Sequence, residues 1–156
     1  MYYYRVKSTA GGLTTYSNII TFTTAPSSVT VTGISATKSY ATADGTYASG
    51  WAWTFSVTVP ESETSLQMKF ANWLSGSNSI VVANNMRFYS IQAQTAVSQG
   101  AAIDITVAET YSSAMTLTGD LDSSKGGKQI QITVEAKVPT GSSAGSYSTS
   151  YGVNSS

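Results

Sequence analysis

Nine consecutive residues, Trp51-Ala52-Trp53-Thr54-Phe55-Ser56-Val57-Thr58-Val59, alternate between large apolar side chains and small or polar ones. A period of two over this length is the pattern of a half-buried β-strand, because successive side chains of a pleated backbone point to opposite faces. An amphipathic helix would need apolar residues at i, i+3, i+4 and i+7, which the stretch does not supply. β-Branched and aromatic residues suit a pleated surface, and Pro60 withdraws a backbone donor where the ladder should stop. The stretch predicts a central strand with Trp51, Trp53, Phe55, Val57 and Val59 in the core.

The same period recurs downstream. Leu66, Met68 and Phe70 alternate with Gln67 and Lys69, and Ile130, Ile132, Val134, Ala136 and Val138 form a second long run that stops at Pro139. Shorter alternating runs occupy 29–34, 80–83, 86–91, 103–107, 115–117 and 147–153. Asp44-Gly45, Asn84-Asn85 and the Gly-containing stretches 119–128 and 140–145 supply turns between them. Many short strands around two long ones predict an all-β fold over residues 29–156, an antiparallel β-sandwich of Ig-like or jelly-roll type.

Residues 1–24 read as a separate β-hairpin that precedes the sandwich. Tyr2, Tyr4 and Val6 alternate with Tyr3, Arg5 and Lys7, Gly11-Gly12 offers a tight turn, and 16–24 is the returning strand. Residues 25–28, Ala-Pro-Ser-Ser, form the linker. The run Tyr2-Tyr3-Tyr4-Arg5-Val6-Lys7-Ser8, a Gly-containing turn, then Tyr16-Ser17-Asn18-Ile19-Ile20-Thr21-Phe22-Thr23-Thr24 resembles the last two strands of a fibronectin type III module. That resemblance implies a hairpin closing one sheet of a seven-stranded sandwich, with tyrosines packed inward; the five earlier strands are not in these 24 residues. Residues 29–156 are similar in style to the Ig-like or jelly-roll modules of bacterial surface and secreted proteins, which implies an extracellular or cell-surface, secreted placement. No charged-then-apolar leader opens the chain, so an export signal is expected upstream of it. An isolated hairpin is marginal in water. Tyr2, Tyr4, Val6, Ile20 and Phe22 are therefore expected to form an assembly edge, against the chain's own sandwich or a neighbouring molecule.

Composition excludes several chemistries. Eight basic and eight acidic residues give zero net charge, so no field steers nucleic acid to the chain. No apolar run is long enough to insert in a membrane as a helix. Cysteine and histidine are both absent, which removes disulfides, thiolate metal sites, the cysteine nucleophile and the usual general base. The carboxylate pairs Glu61/Glu63 and Asp120/Asp122 lie on strand-end turns, where solvated acids are the ordinary case, so no enzyme is expected. In place of charge the chain carries 26 Ser and 22 Thr, a surface rich in neutral hydroxyls.

Two uses of the fold fit these residues. The first is a non-catalytic structural or spacer domain of a bacterial extracellular, cell-surface or filamentous protein, assembling with other modules or copies by β-edge pairing. The alternative is a module that binds a glycan or surface polymer. Trp73, Tyr89 and Tyr111 are its candidate ligand contacts, each joining an apolar ring to a polar or loop-side position. Calcium is the one candidate cofactor, because Asp120 and Asp122 sit among hydroxyls and carbonyls, hard oxygen donors that suit it. Chain ends at opposite poles favour the spacer; an aromatic strip outside the core favours the binding module.

Overall fold

The computed structural model describes residues 28–90 and 101–156 in full, together with the backbone of four short strands in the N-terminal segment. Those four are β1 (Tyr2–Tyr4), β2 (Lys7–Ala10), β3 (Leu13–Tyr16) and β4 (Ile20–Phe22). β1 pairs with β4 and β2 with β3, all antiparallel. Ala10 stands opposite Leu13, and the Gly11-Gly12 turn expected between them lies outside the described residues. Tyr2 pairs with Phe22 and Tyr4 with Ile20. Val6 and most of the linker lie outside the described residues.

Among the described residues ten further strands follow: β5 (Thr30–Lys38), β6 (Trp51–Val59), β7 (Ser65–Phe70), β8 (Trp73–Ser75), β9 (Asn78–Ile80), β10 (Met86–Tyr89), β11 (Ile103–Asp104), β12 (Met115–Thr116), β13 (Lys128–Ala136) and β14 (Tyr151–Ser155). They form an all-β sandwich. One sheet has the order β11-β10-β13-β6-β5 and the facing sheet the order β12-β7-β14, with antiparallel pairing throughout. β8 continues β7 beyond a break at Ala71-Asn72, pairs with β9 on one side and is bridged by Ser148 on the other.

The two long alternating runs become neighbours at the centre of the larger sheet. Phe55 stands opposite Ile132, Val57 opposite Ile130 and Trp53 opposite Val134. Their inward side chains meet Leu66, Met68 and Phe70 of β7, with Met86, Phe88, Ile105 and Met115 filling the remaining space. Burial of apolar surface on this scale is the main stabilising term in a chain without disulfides.

Several boundaries differ from the sequence reading: of the 80–83 run only Ile80 is strand, at the end of β9, and the 86–91 run is strand over Met86–Tyr89. β5 runs on to Lys38, lengthened by two register shifts. Only Ile103–Asp104 of the 103–107 run is strand; Ile105 still donates its N–H to Met86, but Glu109 then adopts a left-handed φ of 59° and turns the chain away. The closing strand starts at Tyr151 rather than 147. Its partner is broken at Asn72, whose side-chain oxygen accepts the Val82 N–H, so 147–150 reaches β8 only through Ser148 and Leu74. Asn84, expected in a turn, has a φ of 60°.

The register also fixes where β5 begins and where β14 ends. Thr30 pairs with Thr58 at the end of β6, and Ser156 exchanges hydrogen bonds with Ser65 at the start of β7. Residues 60–64 connect those two places. The chain therefore enters β5 and leaves β14 at the same pole, while Trp51, Trp73, Lys38 and Ala136 mark the other.

Candidate functional site

Among the described residues the larger sheet has five strands and the smaller three, so β5 overhangs the edge of the smaller sheet. Its inward-facing Ile34, opposite Phe55, is 45% exposed, and the N-terminal half of β6 is only half-buried where the rest is buried. The result is a trough between β5–β6 on one wall and residues 145–151 on the other.

Aromatic residues line it. Trp51 reaches the pole because Gly50 lets the chain pass against β13; a Cβ at Gly50 would sit 2.0 Å from the Ala136 carbonyl oxygen. Trp53 stacks on Trp73 with centroids 5.2 Å apart and an interplanar angle of 18°. Trp51 lies 5.2 Å from Trp73 and 5.9 Å from Tyr147. Tyr147 is fixed by its hydroxyl, which donates to the Ser143 carbonyl at 2.9 Å. Tyr40, 87% exposed, stands over the opening.

Three clefts share these walls. One of about 380 Å³ lies at the pole, between Tyr40, Trp51, Ser142 and Tyr147. A second of about 290 Å³ runs below it over Trp51, Trp53 and Trp73. A third of about 280 Å³ continues down to Ile34, Phe55, Thr149 and Tyr151. None of the three has an Asp, Glu, Lys or Arg in its lining. A trough of rings and hydroxyls without charge offers stacking surfaces and neutral hydrogen bonds, the means by which an uncharged polar molecule is held.

The predicted contacts are not brought together. Trp73 is 7% exposed and forms the floor of the trough, its indole N–H donating to Met86 Sδ at 3.3 Å, rather than projecting from a loop. Tyr89, 6% exposed, is buried and donates to Glu135 Oε1 at 3.0 Å, so it does not face a ligand. Tyr111 lies on the outer face of the smaller sheet with the Lys69 ammonium 4.8 Å from its ring centroid, far from the other two in the fold. Tyr147 and Tyr151 read in the sequence only as strand positions. Their signal was two large rings in a tract otherwise composed of Gly, Ser, Thr and Ala, with no neighbour bulky enough to cover them.

The carboxylates of 119–128 do not converge on a common point. Asp120 Oδ1 accepts the N–H groups of Asp122 at 3.0 Å and Gln129 at 2.6 Å. Asp122 takes the Ser124 N–H and hydroxyl on Oδ1 and Lys125 Nζ on Oδ2 at 3.1 Å. The Ser124 hydroxyl, with Lys125 behind it, holds the Asp122 carboxyl below its ordinary value. Both acids act as turn formers, their Oδ1 atoms accepting N–H groups of the loop and of β13. Among the described residues no group of three His, Cys, Asp or Glu assembles.

A second polar cluster sits on the outer face of the larger sheet. Arg87 donates through Nε and Nη2 to Glu135 Oε2, both at 2.7 Å, and its guanidinium lies 4.0 Å from the Tyr47 ring centroid. The Tyr47 hydroxyl meets Asp104 at 3.5 Å. Burial, then the Asp104 carboxylate, pushes this phenol up to about 12. The pairing ties the 39–50 loop to β10, β11 and β13 and gives a stabilising role to each member. No protein-family model, no curated protein and no solved structure matches this chain.

Proposed function

We propose that the chain is a non-catalytic binding module of an exported or surface protein, and that its trough takes a neutral glycan chain. One observation carries the reading: an uncharged aromatic trough lies open at the pole away from the start of β5 and the end of β14. Tyr40, Trp51 and Tyr147 are the ring surfaces, and Ser39, Ser142 and Ser146 supply hydroxyls beside them. The absence of lining charge favours neutral sugars over phosphorylated or acidic polymers.

Assembly by edge pairing keeps one supporting observation, the open side of β14. The test of the binding reading is affinity electrophoresis and tryptophan fluorescence against neutral polysaccharides, including glucans, xylan and chitin oligomers. All three tryptophans of the chain lie in the trough, so their emission reports occupancy directly. Tyr40→Ala and Tyr147→Ala should each weaken binding by about tenfold, the worth of a well-stacked ring. Failure of every neutral polysaccharide to bind, or binding unchanged in both variants, overturns it.

A further inference from the structure

Among the described residues β14 is the outer strand of its sheet, with its unpaired side toward the trough. Ser65 and Ser156 exchange reciprocal N–H to carbonyl bonds of 2.9 and 3.2 Å, and Ala71 donates to the Ser150 carbonyl at 2.9 Å. Alternation along an antiparallel ladder then turns Gly152 and Asn154 toward β7 and the backbone groups of Tyr151, Val153 and Ser155 away from it. Five residues in unbroken register, without proline or a bulge, leave that edge ready to pair. β5, the other edge at the trough, is blunted by two register shifts and Lys38. Between the two edges, Ile34 is 45% exposed and Tyr151 42%, although both occupy inward positions.

We propose that the β1–β4 hairpin of the same chain adds to this edge, with β1 antiparallel to β14, covering the lower part of the trough. Chain direction permits it. β14 runs toward the pole of the connections, so β1 must run away from it and β4 back toward it, which delivers the chain to the start of β5. Seven residues, 23–29, separate β4 from β5 and span at most ~25 Å. Facing sheets lie only about 10 Å apart. The hairpin's register places positions 2, 4, 20 and 22 on one face, occupied by Tyr, Tyr, Ile and Phe. That face matches the uncovered pair Ile34 and Tyr151, which flank the buried Phe55. The completed sheet has the order β12-β7-β14-β1-β4, five strands against five. This inference rests on strand pairing and is independent of what the distal clefts bind.

Amide hydrogen exchange of the full chain by NMR tests it, with Gly152 and Asn154 as internal controls because both bond to β7. Docking predicts that the Tyr151 and Val153 amides exchange at least about a hundredfold slower than open chain, at every protein concentration. The Ile20→Ser/Phe22→Ser variant should release Tyr151 and Val153 while Gly152 and Asn154 stay protected. Open-edge exchange of Val153 in the native chain overturns the proposal without any variant. Protection that survives the double substitution overturns it as well. Protection that grows with concentration assigns the edge to a second copy and overturns the intramolecular form.

Discussion

Substituting Gly50 by Ala adds one methyl group, and the structure says where it must go. An ideal Cβ there lies 2.0 Å from the Ala136 carbonyl oxygen, 2.9 Å from its carbon and 3.0 Å from Lys137 Cα. Carbon–oxygen contacts ordinarily begin near ~3.3 Å, so one of two backbones must retreat by more than about an ångström. Neither is free to do so. The end of β13 holds Trp51 opposite Ala136 and Ala52 opposite Glu135, and Lys137 donates to the Asn85 carbonyl at 2.9 Å. Next along, Val138 accepts the Gly45 N–H at 2.8 Å. Overpacking of this kind costs about 1–3 kcal/mol. Loss of one hydrogen bond adds about 1 kcal/mol, so Gly50→Ala should destabilise by about 2–4 kcal/mol. Gly33→Ala is the control, since its nearest neighbour is 4.0 Å away and a Gly-to-Ala change in open space is neutral or stabilising by up to ~1 kcal/mol. Urea unfolding followed by tryptophan emission measures both, and the emission itself should shift as Trp51 leaves its place against Trp73. Equal stability of Gly50→Ala and wild type, within about 0.5 kcal/mol, would refute the close approach of β6 and β13 at the pole.

Two further outcomes follow from the polar clusters. Tyr47 titrates at about 12 in the fold against an ordinary ~10, so the stability it contributes is complete below pH 10 and lost as pH rises through 12. Tyr47→Phe keeps the ring over Arg87 but removes the proton; across that window its urea midpoint should fall less than that of wild type, and an equal fall would show that Tyr47 is not the group. At the 119–128 loop, Asp120→Ala should cost about 1–3 kcal/mol by stranding the Gln129 N–H, and calcium should leave the melting temperature of wild type unmoved. A calcium-dependent rise abolished by Asp120→Ala or Asp122→Ala would restore the loop as a metal site.

The strands were legible because a period of two leaves nothing else for such residues to form. β6, β7 and β13 each carry four or more alternating positions, and from Phe55 onward every apolar position of the pattern is buried, with Thr58 buried beside them. The trough was not legible, and the reason lies within β6 itself. Alternation assigns a face but says nothing about whether another sheet lies opposite that face. Trp51 and Trp53 share the period of Phe55, Val57 and Val59, so one pattern covers residues that a second sheet encloses and residues that it stops short of. What distinguishes the two halves is size. The buried end of the strand is valine, which a facing layer packs closely, whereas the half-buried end is tryptophan, whose rings pack against Trp73 and Tyr147 beyond the edge of the smaller sheet. The wall opposite supplies Gly145, Ser146, Ser148 and Thr149 beside Tyr147. Small residues facing large rings leave space, and space beside rings is what a ligand can enter. That juxtaposition joins positions almost a hundred residues apart, and only the register of β14 on β7, set against β6 on β13, brings them together.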